Sequence, residues 1–307
     1  MGAHTTPDLT TDQTIPRRNY FIFGDNISQS LSPTLHNAGF RALGLPYHYS
    51  IHQTPSVDST VAEIVKQPDF GGASVTFPHK LHIAPLLDAI TPCAAEIGAI
   101  NTIVAQGEGG HRRLLGDNTD WIGIKNCIER SKPKNLESCA ALVLGAGGAA
   151  RAACYAFQVL GVGKLIVVNR TVSKGEEMAS HFPTIPSQVF ATFDEALAGN
   201  SMPIRIIVAC VPAENMEEHQ IPKELFSSGS SETSSGGGDG SVLVEMAYKP
   251  QVTAMMKVAT SCSGWNICRG IDVLEEQAYG QFEMWTGREA PATVMREAMR
   301  EKAKANM

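Results

Sequence analysis

The chain has 307 residues, with 25 lysines and arginines against 31 aspartates and glutamates and a formal charge of −6. That balance offers no basic footprint for nucleic acid or an anionic membrane, so any anionic ligand must be held by a local site and a small-molecule partner is favoured. An apolar content of 43% with 18% charged residues is that of a globular α/β chain, and the length accommodates about two domains of ~150 residues. Seven cysteines form no C-x-x-C pair, and several lie in apolar runs such as Ile206-Ile207-Val208-Ala209-Cys210. They read as reduced thiols of a soluble cytoplasmic protein. No run of about 18 apolar residues and no secretory start is present, so no membrane partner is expected.

In chain order, residues 1–18 are polar, contain two prolines, and read as a flexible tail. Strand-like runs at 20–23, 47–51 and 72–75 alternate with helical stretches at 33–43, 57–65 and 78–90, the βαβ rhythm of a parallel sheet. In the last of these helices Ile83, Leu86, Leu87 and Ile90 share one face, which leaves His79 and Lys80 at its start. A second series runs through 140–144, 164–168, 204–208 and 242–244. The expected fold is α/β: a substrate-binding domain over 19–125, a Rossmann-type nucleotide-binding domain over 126–273, and a C-terminal helical segment, 274–307, returning to the first domain. The Ser/Gly-rich stretch at 226–241 is expected to be a flexible insertion.

Gly145-Ala146-Gly147-Gly148-Ala149-Ala150-Arg151 follows a strand and opens a helix, the context in which G-x-G-x-x-G/A is a dinucleotide fingerprint. Gly145 permits a tight turn, Gly147 the approach of a pyrophosphate, and Ala150 close helix–strand packing. Gly148 and Ala149 lie at the helix N-terminus that faces the phosphates. The alternative is a glycine-rich turn with no ligand. At the end of the next strand, where an NAD site carries an acidic residue, stand Asn169-Arg170-Thr171 with Lys174 beyond. Arg170 and Lys174 suit a 2′-phosphate, so NADP is the expected cofactor, against the reading of Arg170 as a solvated surface residue.

The first half carries four polar motifs: Ser30-Leu31-Ser32-Pro33-Thr34-Leu35-His36-Asn37, Ser74-Val75-Thr76-Phe77-Pro78-His79-Lys80, Gly98-Ala99-Ile100-Asn101-Thr102 and Gly116-Asp117-Asn118-Thr119-Asp120. In order and spacing they resemble the shikimate dehydrogenase family, and within it the module found in the fungal pentafunctional arom enzyme. The resemblance spans about residues 20–299 and includes Ala247-Tyr248-Lys249-Pro250 and a C-terminal segment opening on Gln277. It implies that Ser30 and Ser32 hold a substrate carboxylate, that Thr76, Asn101 and Gln277 contact ring hydroxyls, that Tyr248 borders the substrate, and that Lys80 with Asp120 forms the catalytic pair. Ser32 before Pro33 is also a helix-capping pattern in its own right.

By that resemblance the expected activity is reversible NADPH-dependent reduction of 3-dehydroshikimate to shikimate, in aromatic amino-acid (chorismate) biosynthesis, by a monomer or homodimer. A ketone reduction needs a proton donor at the nascent alkoxide, which suits a lysine oriented by an aspartate. The alternatives are a quinate/shikimate dehydrogenase of quinate catabolism and a non-catalytic sensor of the pathway. The sequence departs from the family pattern at Gln29, at Ser74 and at Cys210-Val211-Pro212-Ala213-Glu214-Asn215-Met216. The first two positions are expected to lie outside the ligand contacts. His79 and His82 flank Lys80 without a carboxylate or cysteine at ligand spacing, and no metal is expected.

Overall fold

The computed structural model describes residues 15–107, 111–229 and 240–305. In chain order the first domain comprises β1 (Arg18–Gly24), α1 (Ser32–Ala42), β2 (Tyr47–Gln53), α2 (Ser59–Ile64), β3 (Phe70–Val75), β4 (Ala89–Ile90), α3 (Pro92–Ile97), β5 (Thr102–Gln106) and β6 (Arg113–Asp117). α4 (Asp120–Arg130) leads out of it into β7 (Ala140–Leu144), α5 (Gly148–Leu160), β8 (Lys164–Val168), α6 (Val172–Ala179), β9 (Ser187–Phe190), α7 (Phe193–Gly199), β10 (Ile204–Ala209), β11 (Ser241–Glu245), α8 (Ala254–Ser261) and β12 (Trp265–Cys268). α9 (Gly270–Thr286) and α10 (Ala292–Ala305) close the chain.

The second sheet has the order β12-β11-β10-β7-β8-β9 with every pair parallel. Counted within the domain this is 3-2-1-4-5-6, the doubly wound Rossmann arrangement whose order reverses between β7 and β10. Its strands are uninterrupted apolar runs because helices cover both faces: all five residues of β7 and of β11 are buried. α5 starts at Gly147 and ends at Gly161, whose φ of +71° favours glycine.

The first sheet has the order β2-β1-β3-β5-β6-β4 and is mixed. β2, β1 and β3 are parallel, whereas β5 runs antiparallel to both β3 and β6. The β5–β6 hairpin interrupts the expected all-parallel rhythm and brings Asn101, just before β5, beside Asp117, at the end of β6, through an Asn101 N–H to Asp117 carbonyl bond of 3.1 Å. The expected helix over 78–90 does not form. His79–Leu81 and Ala84–Leu86 are separate 3-10 turns, and Ala89–Ile90 is a strand on β6. Pro85 explains the break: it lacks an N–H and clashes with the preceding turn of a helix.

Other boundaries also move. β1 already includes Arg18, so the tail is shorter than 1–18, and residues 1–14 lie outside the described ones. The 226–241 insertion contracts from both sides. Phe226 is buried and stacks edge-on with Trp265, Ser241 belongs to β11, and 230–239 lie outside the described residues. The C-terminal segment starts as α9 at Gly270 rather than at 274, and it is two helices, both packed on α1. A Cβ on Gly39 of α1 would come within 2.6 Å of Phe282 and 2.9 Å of Met295, so glycine sets how closely these helices approach.

That helix layer buries His36 completely, stacked on Tyr49 at 4.7 Å and against Trp285 at 4.9 Å. Burial lowers its pKa to about 3, only partly offset by Gln281, and neither ring nitrogen has a well-formed hydrogen bond. The unfolded chain binds a proton at this residue near pH 6.5, whereas the folded chain resists it until about pH 3. Stability is therefore lost as the pH falls between those values, by up to about 1.4 kcal/mol per unit. The urea midpoint should drop below pH 6.5, and the drop should be shallower by about one proton in His36→Phe; an unchanged pH slope in that variant would remove His36 as the cause.

Candidate active site in the interdomain cleft

Lys80 lies on the short turn after β3. The His79 N–H donates to the Thr76 carbonyl at 2.8 Å, the His79 ring contacts the Thr54 carbonyl at 2.9 Å, and the Lys80 carbonyl accepts from Ile100 at 2.9 Å. His79 is thus a buried anchor of the turn. Among the described residues no group of three or more His, Cys, Asp or Glu could hold a metal.

Asp120 opens α4, where a carboxylate faces the positive end of the helix dipole. Its oxygens have separate donors: Lys80 Nζ reaches Oδ2 at 2.5 Å and Asn101 Nδ2 reaches Oδ1 at 2.9 Å. The side chains of Lys80 and Asp120 are 14% and 8% exposed, so the pair is largely removed from solvent screening and unlike an ordinary surface ion pair. Asn118 braces the same turn, accepting from the Asp120 N–H at 3.0 Å and donating to the Ala99 carbonyl at 2.8 Å.

Asn101 is the hub. Its Oδ1 accepts from the Thr102 hydroxyl at 2.6 Å and the Thr119 N–H at 2.7 Å, while Nδ2 also meets Thr119 Oγ1 at 3.0 Å and Gln277 Oε1 at 3.2 Å. A second chain reaches the same point. Tyr49 donates to Ser74 at 2.6 Å, Ser74 donates to Gln281 at 2.8 Å, and Gln281 donates to Thr102 at 2.9 Å.

These side chains surround a cavity of about 130 Å³ whose lining includes Ser30, Ser32, Ser74, Thr76, Lys80, Asn101, Asp120, Tyr248, Gln277 and Gln281. All eight residues expected at the substrate are therefore brought together. Ser74, one of the departures from the family pattern, also lines the cavity, its hydroxyl engaged by Tyr49 and Gln281. Gln29 lies elsewhere, on a larger cavity of about 640 Å³ that touches the first only through Tyr248. Ser32 is the first residue of α1, and its expected capping role is absent: Leu31 holds the cap position with no side-chain bond. The Ser30 hydroxyl instead accepts from the Ser32 N–H at 3.3 Å.

Sequence reasoning missed Gln281, Ser74 and Glu245. Glu245, buried at the end of β11, accepts from the Ala247 N–H at 3.0 Å and the Thr253 hydroxyl at 2.6 Å and so fixes the loop bearing Tyr248; burial raises its pKa. Gln281 had a signal, since it lies four residues beyond Gln277, on the same face of α9.

The glycine turn sits at the point where the sheet order reverses. Gly145 has a φ of +106°, and a Cβ there would be 3.3 Å from the Cys210 carbonyl at the end of β10; burial pushes the Cys210 thiol up. Nothing lies within 4 Å of a Cβ built on Gly147, so the turn leaves room for a phosphate group. Gly148 turns inward, where a Cβ would lie 2.9 Å from the Cβ of Lys80 and 3.4 Å from Ala99. Ala149 follows on α5, and Ala150 is buried against the sheet. Arg151, also buried, pairs with Glu177 at 2.7 Å and lies 3.0 Å from a Cβ built on Gly98. After β8, Asn169 Nδ2 donates to the Thr171 carbonyl at 2.7 Å, while Arg170, Thr171 and Lys174 are exposed. The donor set fits an NADP-type dinucleotide: an open turn at a helix N-terminus, with two exposed cations past the neighbouring strand.

Fold and cleft together define a two-domain α/β protein in which a Rossmann unit faces a polar, lysine-bearing domain. Profiles of the shikimate dehydrogenase substrate binding domain, of shikimate/quinate 5-dehydrogenase and of the shikimate 5′-dehydrogenase C-terminal domain match residues 22–103, 128–220 and 270–300. The chain belongs to the shikimate dehydrogenase family.

It is 41% identical over 285 residues to the pentafunctional AROM polypeptide of Malassezia globosa, covering 90% of this chain and 17% of that protein. It is 37% identical over 311 residues to the quinate repressor protein of Emericella nidulans, covering 90% and 34%. The chain thus spans from about a sixth to a third of the length of these relatives. Among solved structures, the dehydroquinate dehydratase and shikimate dehydrogenase of S. pombe AroM superposes with a TM-score of 0.74 at 33% identity, covering 93% of this chain and 53% of that one. Shikimate 5-dehydrogenase from Thermus thermophilus in complex with NADP(H) and shikimate gives 0.71 at 27% identity, covering 93% and 99%.

The Gly148 contact makes a direct test. Gly148→Ala should displace the stem of Lys80 and lower kcat by roughly ten- to a hundredfold, since misplacement by about 1 Å carries that cost. Its thermal midpoint should stay near that of the parent protein. Full turnover in this variant would mean that the cleft has slack at this contact.

Proposed function

We propose that this chain catalyses the reversible, NADP-dependent interconversion of shikimate and 3-dehydroshikimate, acting as a shikimate dehydrogenase in the reductive direction of aromatic amino-acid (chorismate) biosynthesis. The observation that carries this reading is the cavity in which Lys80, held by Asp120, faces the N-terminus of α5 across Gly148. Three structural relatives support it in part, being complexes with NADP+, with NADP(H) and shikimate, and with shikimate.

The hydroxyls of Ser30 and Ser32, with the N–H groups at the start of α1, hold the substrate carboxylate. Thr76, Gln277 and Asn101 take the ring hydroxyls, the last two giving up the bond between them, and Tyr248 borders the open side. Gly145, Gly147, Gly148, Ala149 and Ala150 form the cofactor turn. Asn169, Arg170, Thr171 and Lys174 hold the ribose and its 2′-phosphate, which disfavours NAD for want of an acidic partner. When bound, the nicotinamide supplies or accepts the hydride. Lys80 delivers a proton to the carbonyl oxygen as it becomes a hydroxyl and removes it in the reverse direction. Asp120 stabilises the ammonium form and aims it, and Asn101 keeps the carboxylate from turning. Arg151 and Gly98 hold the two halves in register. The domains act as units of about 19–125 and 126–269, with α9 and α10 completing the first.

The quinate repressor relative supports a second reading, in which the same cleft binds the ligand without turnover. Both readings are tested by following reduced nicotinamide absorbance with shikimate or quinate crossed against NADP and NAD. Turnover fastest with shikimate and NADP is the expected result. Preference for quinate and NAD moves the protein to catabolism, and binding without turnover makes it a sensor.

Two variants test the assigned roles. Lys80→Ala should lose at least about a thousandfold in kcat with a smaller change in shikimate affinity, because the interaction removed belongs to the transition state. Arg170→Ala should raise the KM for NADP by about tenfold, the equivalent of ~1.4 kcal/mol, and leave that for NAD unchanged.

A further inference from the structure

Away from the cavity, Cys268 at the end of β12 meets the last turns of α4. Its thiol donates to the carbonyl of Cys127 at 3.4 Å, and the Arg130 guanidinium donates to the Cys127 sulfur at 3.2 Å. Cys127 is fully buried, whereas Cys268 is partly exposed. We propose that Cys268 and Cys127 are a peroxide-reactive thiol pair, with the partly exposed Cys268 oxidised first and Cys127, buried beside it, the thiol that resolves it into a disulfide.

The surroundings divide these roles. A hydrogen bond from the Cys127 thiol, then the charge of Arg130 and the Ser131 hydroxyl, hold the Cys268 thiol below its ordinary range against opposing burial and Asp272. Cys127 is raised by the same pairing and by burial, against the opposing charge of Arg130. Arg130 is kept in place by Glu276 at 3.2 Å. Thiolate character with partial exposure is what selects a thiol for oxidation. The alternatives are poorer nucleophiles: burial raises Cys139, Cys154 and Cys210, and Cys93 is raised by burial and donates to the Asp117 carboxylate at 3.1 Å.

The chemistry balances. The Cys268 thiolate attacks one oxygen of hydrogen peroxide, the O–O bond breaks, and hydroxide leaves, giving a sulfenic acid. The Cys127 sulfur, losing its proton, attacks the sulfenic sulfur and expels hydroxide. Two thiols and one peroxide become a disulfide and two waters, and thiol reductants reverse it. The bond would tie α4, which carries Asp120, to the end of β12, two residues ahead of α9, which carries Gln277 and Gln281. Both helices line the cavity.

The test treats the whole chain with hydrogen peroxide and maps its peptides without reduction. The expected product is a Cys127–Cys268 crosslink lighter by two hydrogens and cleaved by dithiothreitol. In Cys127→Ser, Cys268 should instead persist as a dimedone-trapped sulfenic acid. In the untreated protein Cys268 should react with iodoacetamide at neutral pH about tenfold faster than Cys262. Oxidation that reaches Cys262 first, or that modifies Cys268 in the parent chain without joining it to Cys127, overturns the proposal. Peptide mapping of the parent protein decides the matter even if the serine variant does not fold, and no outcome depends on the activity proposed above.

Discussion

The cleft is organised around one carboxylate that is never left to solvent. Asp120 has Lys80 on one oxygen and Asn101 on the other, and a buried charge with both oxygens engaged costs far less than one missing a donor. From this follow the close approach of three loops, the hairpin that brings Asn101 to Asp117, and the placing of α4's first turn where the two domains meet. The carboxylate is at once the lysine's counter-ion and a stabilising charge at a helix N-terminus.

The polar network continues into the apolar core instead of ending at the cavity. Gln281 links Asn101 and Thr102 to Ser74 and Tyr49, and the Tyr49 ring stacks on His36. α9 supplies both glutamines of the site, so the helix that completes the first domain's core also completes its binding surface. Fully satisfied buried networks of this kind fix one arrangement of side chains. The first domain's side of the cleft is thus a set of interlocked side chains, while the Rossmann side presents a backbone turn and exposed cations.

How much of this was legible in the sequence varied with the kind of signal. The four central strands of the Rossmann unit could be read, because parallel strands buried on both faces are uninterrupted apolar runs; the edge strands β9 and β12, only partly buried, were not. The polar motifs located the site because its residues come in short runs around β3, β5 and β6. The helix expected at 78–90 failed where periodicity competed with Pro85: four apolar residues at helical spacing were satisfied by two turns and a strand instead. The β5–β6 hairpin was hidden because the polar motifs took in only its ends, Thr102 and Gly116-Asp117, and left the stretch between them unassigned. Glu245 lies in an apolar strand run and bonds only within its own loop, so no motif marked it; Ser74 stood in a motif, but its partners Tyr49 and Gln281 are remote in sequence.

Gly148 carries a wider consequence. With no side chain it lets the start of α5 rest on the methylenes of Lys80 and on Ala99, so the junction between the domains is gauged by atoms in contact and behaves as a mechanical stop. The residue at which the two halves meet is thus one of the glycines of the turn that opens α5, and it bears directly on the stem of the lysine. A chain built this way measures the width of its cleft with the stem of Lys80, and side-chain bulk added at that contact would widen the gap between the domains before it disturbed either fold.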